Sequence, residues 1–160
     1  MASILNRGTI VKVLTALHLF EPVEQALVRY AGVSLRSWVS THAVGVPYVP
    51  TLLLTTIGRS SGELRSHPLF FLRDGGDYLV VGSKGGSPQA PAWYGNLLAN
   101  PQGWVHANRR GIPVRATVLD DAERARVWPM LVALWPAYGD YESRAAPRRI
   151  PVIRLSPIRG

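Results

Sequence analysis

The rhythm of apolar residues along this chain changes near Pro50. Before it, apolar positions recur at helical spacing: Ile10, Val13, Leu14 and Leu17 predict a helix over residues 9–20. Val23, Ala26, Leu27 and Tyr30 form the expected inner face of a second helix, with Pro22 suited to its start and Gly32 to its end. Residues 33–49 show no period and read as a linker or irregular wrap. After Pro50 the pattern becomes short β-branched and aromatic runs, over 51–57, 64–73, 78–82, 104–107, 112–119 and 150–155. Gly-rich turns separate the earlier runs, and Asp74-Gly75-Gly76-Asp77 reads as a hairpin turn. Pro68 marks its strand as an edge or a bulge. Pro91 opens a helix that Asn100-Pro101 stops. Asp120 or Asp121 caps a later helix, which Pro129 is expected to kink or split.

Strands in hairpin succession with helices before, between and after them predict a mainly β chain with helices. The α+β architecture expected is a small antiparallel barrel, not a doubly wound sheet. The rhythm also divides the chain into an N-terminal helical segment, 1–49, and a barrel domain, 50–160.

Composition narrows the chemistry. There are no cysteines, which excludes disulfides, thiolate zinc sites and iron–sulfur clusters. His18, His42, His67 and His106 do not pair at ligand spacing, so no metal site is expected. The net charge of +8 favours anionic ligands. The basic residues are dispersed, almost all arginine, and form no nucleic-acid arm. The apolar stretch at 10–20 is broken by Lys12 and His18 and is shorter than the ~20 residues a membrane span needs. With no cleavage site after it, the chain reads as cytoplasmic.

Two basic, glycine-rich loops concentrate the candidate chemistry. Gly58-Arg59-Ser60-Ser61-Gly62 matches the G-x-S-x-G nucleophile elbow, but that motif must lead into a helix and here leads into a strand. A turn that clasps an anion, with Arg59 and Arg65 converging on it, is the better reading. The second loop, Ser83-Lys84-Gly85-Gly86, lets backbone amides approach a ligand closely and adds one lysine charge. Trp93 follows it and is placed to wall a ring, with Asn96 one turn on. Trp135, Tyr138 and Tyr141 share one side of a helical turn and suit an aromatic rim.

These motifs together carry a resemblance. TTIGRSSGELRSHPLFFLRDG, VGSKGGSPQAPAWYGNLLANP, LVALWPAYGDYESR and RRIPVIRL resemble the deazaflavin-dependent nitroreductase family, split β-barrel proteins of the FMN-binding-like type that use coenzyme F420. The resemblance implies that Arg59, Ser60 and Arg65 hold the coenzyme's phosphate and acidic tail. It implies that Ser83, Lys84, Gly85 and Gly86 cradle the deazaflavin and its phosphate, with Ala92, Trp93 and Asn96 beside them. Around the substrate it places Phe70, Ser83, Trp135, Tyr138 and Tyr141. Family members often carry Lys in place of Ser60, and Tyr in place of Phe70 and Trp135. The resemblance further implies hydride transfer to a quinone, menaquinone-like, or to a nitroaromatic. The proton would come from Tyr138, Tyr141, Ser83 or water, among which the sequence does not choose. An apolar, partly basic N-terminal helix would suit peripheral contact with the inner face of the cell membrane. An FMN-dependent oxidoreductase and a non-catalytic cofactor- or fatty-acid-binding protein are the alternatives on this barrel. The oligomeric state is not readable from the sequence.

Overall fold

The computed structural model describes residues 19–107 and 109–159. All but the end of the helix expected over 9–20 lies outside them. Seven strands form one antiparallel sheet: β1 (Thr51–Ile57), β2 (Leu64–Phe70), β3 (Leu72–Asp74), β4 (Asp77–Val81), β5 (Gln102–Ala107), β6 (Arg110–Val118) and β7 (Val152–Pro157). Their order is β2-β1-β5-β6-β7-β4-β3. Strands β2 and β3 are consecutive in the chain yet occupy opposite ends of that order. A single residue, Phe71, separates them, and one residue spans only ~3.5 Å. The two edges therefore meet there, and the sheet curls into a split barrel. Phe71 is buried at this seam, and its N–H bonds the Pro50 carbonyl at 3.2 Å.

Alternation along the strands builds two cores. Leu52, Leu54, Tyr78, Val80, Val105, Val114, Ile153 and Leu155 point into the barrel, which Trp93 and Leu97 of α3 (Ala92–Ala99) help to fill. Leu79, Val81 and Val152 point outward. They pack under Val127 and Leu131 of α4 (Asp121–Leu134) and Tyr138 and Ala145 of α5 (Ala137–Ala145). The Asp120 side chain caps α4 by accepting from the Glu123 N–H at 2.8 Å. Pro68 does lie on an edge strand, paired with Leu53, and the strand breaks three residues later. Pro129 does not split α4, which runs through it as one helix.

The N-terminal segment departs from its hydrophobic pattern. Helix α1 (Phe20–Ala26) continues into a π-helical turn, Leu27–Ala31, and ends at left-handed Gly32. Its buried residues are Glu24 and Val28, whereas Tyr30 of the expected inner face is 69% exposed. Residues 33–49 are not irregular throughout: α2 spans Leu35–Val44. This helix escapes a hydrophobic reading because its buried positions are Ser37 and Thr41. Ser37 donates to the Val49 carbonyl at 2.5 Å, and Thr41 to the Ser37 carbonyl at 2.7 Å. Its start is held by Glu24, whose carboxylate accepts from the Ser34 hydroxyl and from the N–H groups of Leu35 (3.0 Å) and Arg36 (3.2 Å). No described helix is long and apolar enough to cross a membrane.

Candidate active site

A cavity of about 600 Å³ opens beside the seam, between β2, the loop after β4, α3, α5 and the two N-terminal helices. Four pieces of the sequence-derived set meet in it. Ser83, Lys84 and Gly85 form one side, and Ala92 and Trp93 adjoin them. Phe70, Trp135, Tyr138 and Tyr141 supply an aromatic wall. The rings of Phe70 and Trp135 meet edge to face with centroids 5.2 Å apart, and Tyr138 and Tyr141 do so at 6.2 Å. Trp135 is the residue at which α4 ends, and Tyr138 and Tyr141 face the same side of α5 one turn apart.

Residues 83–86 adopt an uncommon backbone. Ser83 is right-handed helical (φ −76°), and Lys84, Gly85 and Gly86 have φ of +46°, +62° and +80°. A right-handed residue followed by a left-handed one turns successive N–H groups toward one point, a concavity that binds anions. The Gly86 N–H is used by the Ser83 carbonyl (3.0 Å) and the Ser87 N–H by the Lys84 carbonyl (3.1 Å). Among the described residues, the N–H groups of Lys84 and Gly85 have no protein acceptor. A side chain built on Gly85 would meet nothing within 4 Å, so the space over the turn is open.

The remaining cofactor-binding candidates sit outside the cavity lining. Arg59, Ser60, Arg65, Gly86 and Asn96 do not line the cavity. The Arg59 guanidinium bonds the Ala92 carbonyl at 3.0 Å and Asn96 Oδ1 at 3.1 Å, and it packs against Gly95. Asn96 is buried and gives its amide N–H to Thr56 Oγ1 at 3.1 Å. The pair thus ties the 58–62 turn to α3. Arg65 is exposed and pairs with Glu63. Conversely, the cavity includes Glu21, Arg36, Ser40 and His67, which hydrophobic patterning did not single out. Arg36 pairs with Glu21 and covers the Phe20 ring, so α1 and α2 present a joined polar edge to the cavity.

The chain has counterparts among known proteins. Residues 28–157 match the family described as F420H(2)-dependent quinone reductase. The chain belongs to that family. Among its relatives, the F420H(2)-dependent quinone reductase Rv1261c of Mycobacterium tuberculosis is 38% identical over 110 residues, covering 67% of this chain and 73% of that protein. A solved structure described as an F420-H2 dependent reductase (FDR-A) superposes with a TM-score of 0.62. It is 37% identical, covering 67% of this chain and 94% of that one. Another, described as a domain-swapped dimer, gives 0.62 at 33% identity, with 77% and 100% covered.

As an F420H(2)-dependent quinone reductase family member, the chain is an oxidoreductase and its cofactor is coenzyme F420. That sets aside FMN and the non-catalytic reading. The site suits an anionic cofactor with a flat ring. The open amides of residues 84 and 85 and the Lys84 charge would hold a phosphate, and Ala92 and Trp93 would flank the ring.

Two groups in the cavity titrate abnormally. Burial, with a smaller contribution from Tyr141, pushes the Tyr138 phenol well above its ordinary range, so it stays protonated at any physiological pH. Burial lowers the His67 imidazole below its ordinary 6.5, opposed by the Glu21 carboxylate and reinforced by the Arg65 guanidinium. Folding therefore favours neutral His67. That contribution is present above pH 6.5 and is lost as pH falls through the lower folded value. His106, lowered by burial and by Arg29, loses stability in the same direction. His67→Asn is expected to flatten part of the stability loss that begins below pH 6.5. Urea denaturation at several pH values checks this; superimposable profiles for variant and wild type would contradict it.

Proposed function

We propose that this protein reduces a lipid-soluble, menaquinone-like quinone, with Ser83, Lys84, Gly85, Ala92 and Trp93 on the cofactor side and Phe70, Trp135, Tyr138 and Tyr141 on the acceptor side. The observation that carries this reading is that the open amide turn and the aromatic wall line one cavity. When bound, reduced coenzyme F420 supplies a hydride from its deazaflavin ring. The residues of the chain do the rest. The turn amides and Lys84 bind and register the anion. The aromatic wall excludes water and orients a flat acceptor by stacking and edge contacts. Quinone reduction needs one proton besides the hydride to give the hydroquinone. Tyr138, kept protonated by burial, is the group best suited to donate a hydrogen bond to a quinone oxygen, with Tyr141 and Ser83 adjacent. Phe70 and Trp135 contribute no phenol to the wall, which makes the site more suited to a largely apolar ring than to a nitro group. Arg59, Asn96 and Gly86 support the cofactor side from behind, and Ser60 and Arg65 lie outside, where only an extended acidic tail would reach them.

The test is a calorimetric titration with oxidised coenzyme, followed by turnover with reduced coenzyme against quinones and nitroaromatics. Tight binding with quinone reduction is expected; reduction of nitroaromatics alone would overturn the acceptor assignment. Lys84→Ala is expected to raise the coenzyme Kd about tenfold at low salt, with a smaller effect at high salt because the lysine is exposed. Equal affinity for variant and wild type at both salt concentrations would refute the charge contact.

A further inference from the structure

The 83–85 amide turn is held from behind by one arginine, the first residue of the RRIPVIRL stretch, to which the sequence alone assigns no role. Arg148 gives its Nη1 to the Gly82 carbonyl at 3.0 Å and its Nη2 to the Ser83 carbonyl at 2.9 Å. Its Nε and Nη2 both reach the Ser87 carbonyl, at 3.1 and 2.6 Å. Its own N–H is fixed to the Ala145 carbonyl, the last residue of α5, at 2.9 Å. Half-buried, it has no acidic partner among the described residues.

A trans peptide points its C=O and its following N–H in opposite directions. Capture of the Gly82 carbonyl by Arg148 therefore turns the Ser83 N–H away from the guanidinium. Capture of the Ser83 carbonyl does the same for the Lys84 N–H. Two consecutive peptide planes are set by one rigid planar group, with their carbonyls to the rear. Ser83, Lys84 and Gly85 are the residues this loop presents to the cavity. The guanidinium also leaves a positive charge without a counter-charge directly behind the turn, which favours an anion in front of it.

We propose that Arg148 is the positioning residue of the coenzyme's anion cradle: its fork fixes the peptide planes leading into Lys84 so that the Lys84 amide, one of the two open amides of the turn, faces the cavity. The proposal rests on reading that turn as the anion site. It also explains why Lys84, which is not glycine, holds a positive φ: the carbonyls on either side of it in the loop are tied to the same group.

Lysine keeps the charge of Arg148 but offers one nitrogen, which cannot span the three carbonyls. Arg148→Lys is therefore expected to weaken binding of oxidised coenzyme F420 about tenfold by calorimetry while keeping the wild-type salt dependence. Lys84→Ala, in contrast, is expected to lose part of that salt dependence. Arg148→Met is expected to weaken binding further; if it does not fold, Arg148→Lys carries the test, with melting temperature showing that it is folded during the titration. Loss of affinity in Lys84→Ala but not in Arg148→Lys would overturn the role of Arg148 and leave the site standing. Unchanged affinity in both would remove the anion site itself, and the proposal with it. A lower melting temperature with unchanged coenzyme affinity in Arg148→Lys would make the arginine merely structural.

Discussion

Gly86→Ala is expected to destabilise the fold by roughly 2–4 kcal/mol and to weaken coenzyme binding at least tenfold. Gly86 is buried where the 83–86 turn touches α5. An added Cβ would lie 2.9 Å from Tyr141 Cα, 3.0 Å from Arg144 Cβ and 3.1 Å from the Tyr141 carbonyl oxygen. None of these is the free end of a flexible side chain, so the helix or the turn must move. The φ of +80° adds the ordinary strain of a left-handed alanine, ~1–2 kcal/mol. Either movement separates the amide cradle from the wall that Tyr138 and Tyr141 supply. Gly85→Ala is the matched control. Its φ is also positive, +62°, but its Cβ would meet nothing within 4 Å, so only the strain applies. For a chain of this size the Gly86 variant should melt roughly 6–12 °C lower. Thermal unfolding and coenzyme titration of the two variants decide the matter. If Gly86→Ala behaves like Gly85→Ala in both, the close approach of turn and helix is not what shapes the site.

Glu24→Ala is the second large effect, expected at about 3 kcal/mol. The Glu24 carboxylate is 1% exposed and bonds the Ser34 hydroxyl and the N–H groups of Leu35 and Arg36. Its removal leaves the first amides of α2 buried in part without an acceptor. Glu24→Gln keeps the shape and one acceptor oxygen, so it should lose less, about 1–2 kcal/mol. Because α2 carries Arg36 and Ser40 to the cavity, the Ala variant should also raise hydrogen exchange over residues 35–44. The measurement is the urea midpoint of both variants. A midpoint for Glu24→Ala within error of the wild type would dismiss the cap.

The barrel was legible in the sequence because its signals are local. The run at 51–57 is the strand found, and Asp74–Asp77 is the turn found, with Gly75 at φ +60°. Helices α3 and α4 begin where Pro91 and Asp120 announce them. The helix that Gly32 ends was legible as well, but α2 was missed for a definite reason. Its buried positions are Ser37 and Thr41, each satisfied by hydrogen bonds, so hydrophobic spacing carries no trace of it. The candidate site was half legible. Glycine, lysine and aromatic residues mark the turn and the wall by type. What Arg59 and Arg148 do depends on partners far along the chain, such as the carbonyls that Arg148 meets 61–66 residues away, and no pattern of spacing reveals such a partner.

The one-residue link at Phe71 has a bearing on how wide a range of molecules the protein can serve. Phe70, on the aromatic wall, is the residue immediately before it. Strand β4, which leads into the 83–86 turn, pairs with β3 immediately after it. Phe70 and the turn thus hang from adjacent points of one backbone, and neither can swing outward without parting the sheet. Breadth of acceptance must then come from exchanging side chains such as Phe70, while the gauge between that strand and the turn stays constant.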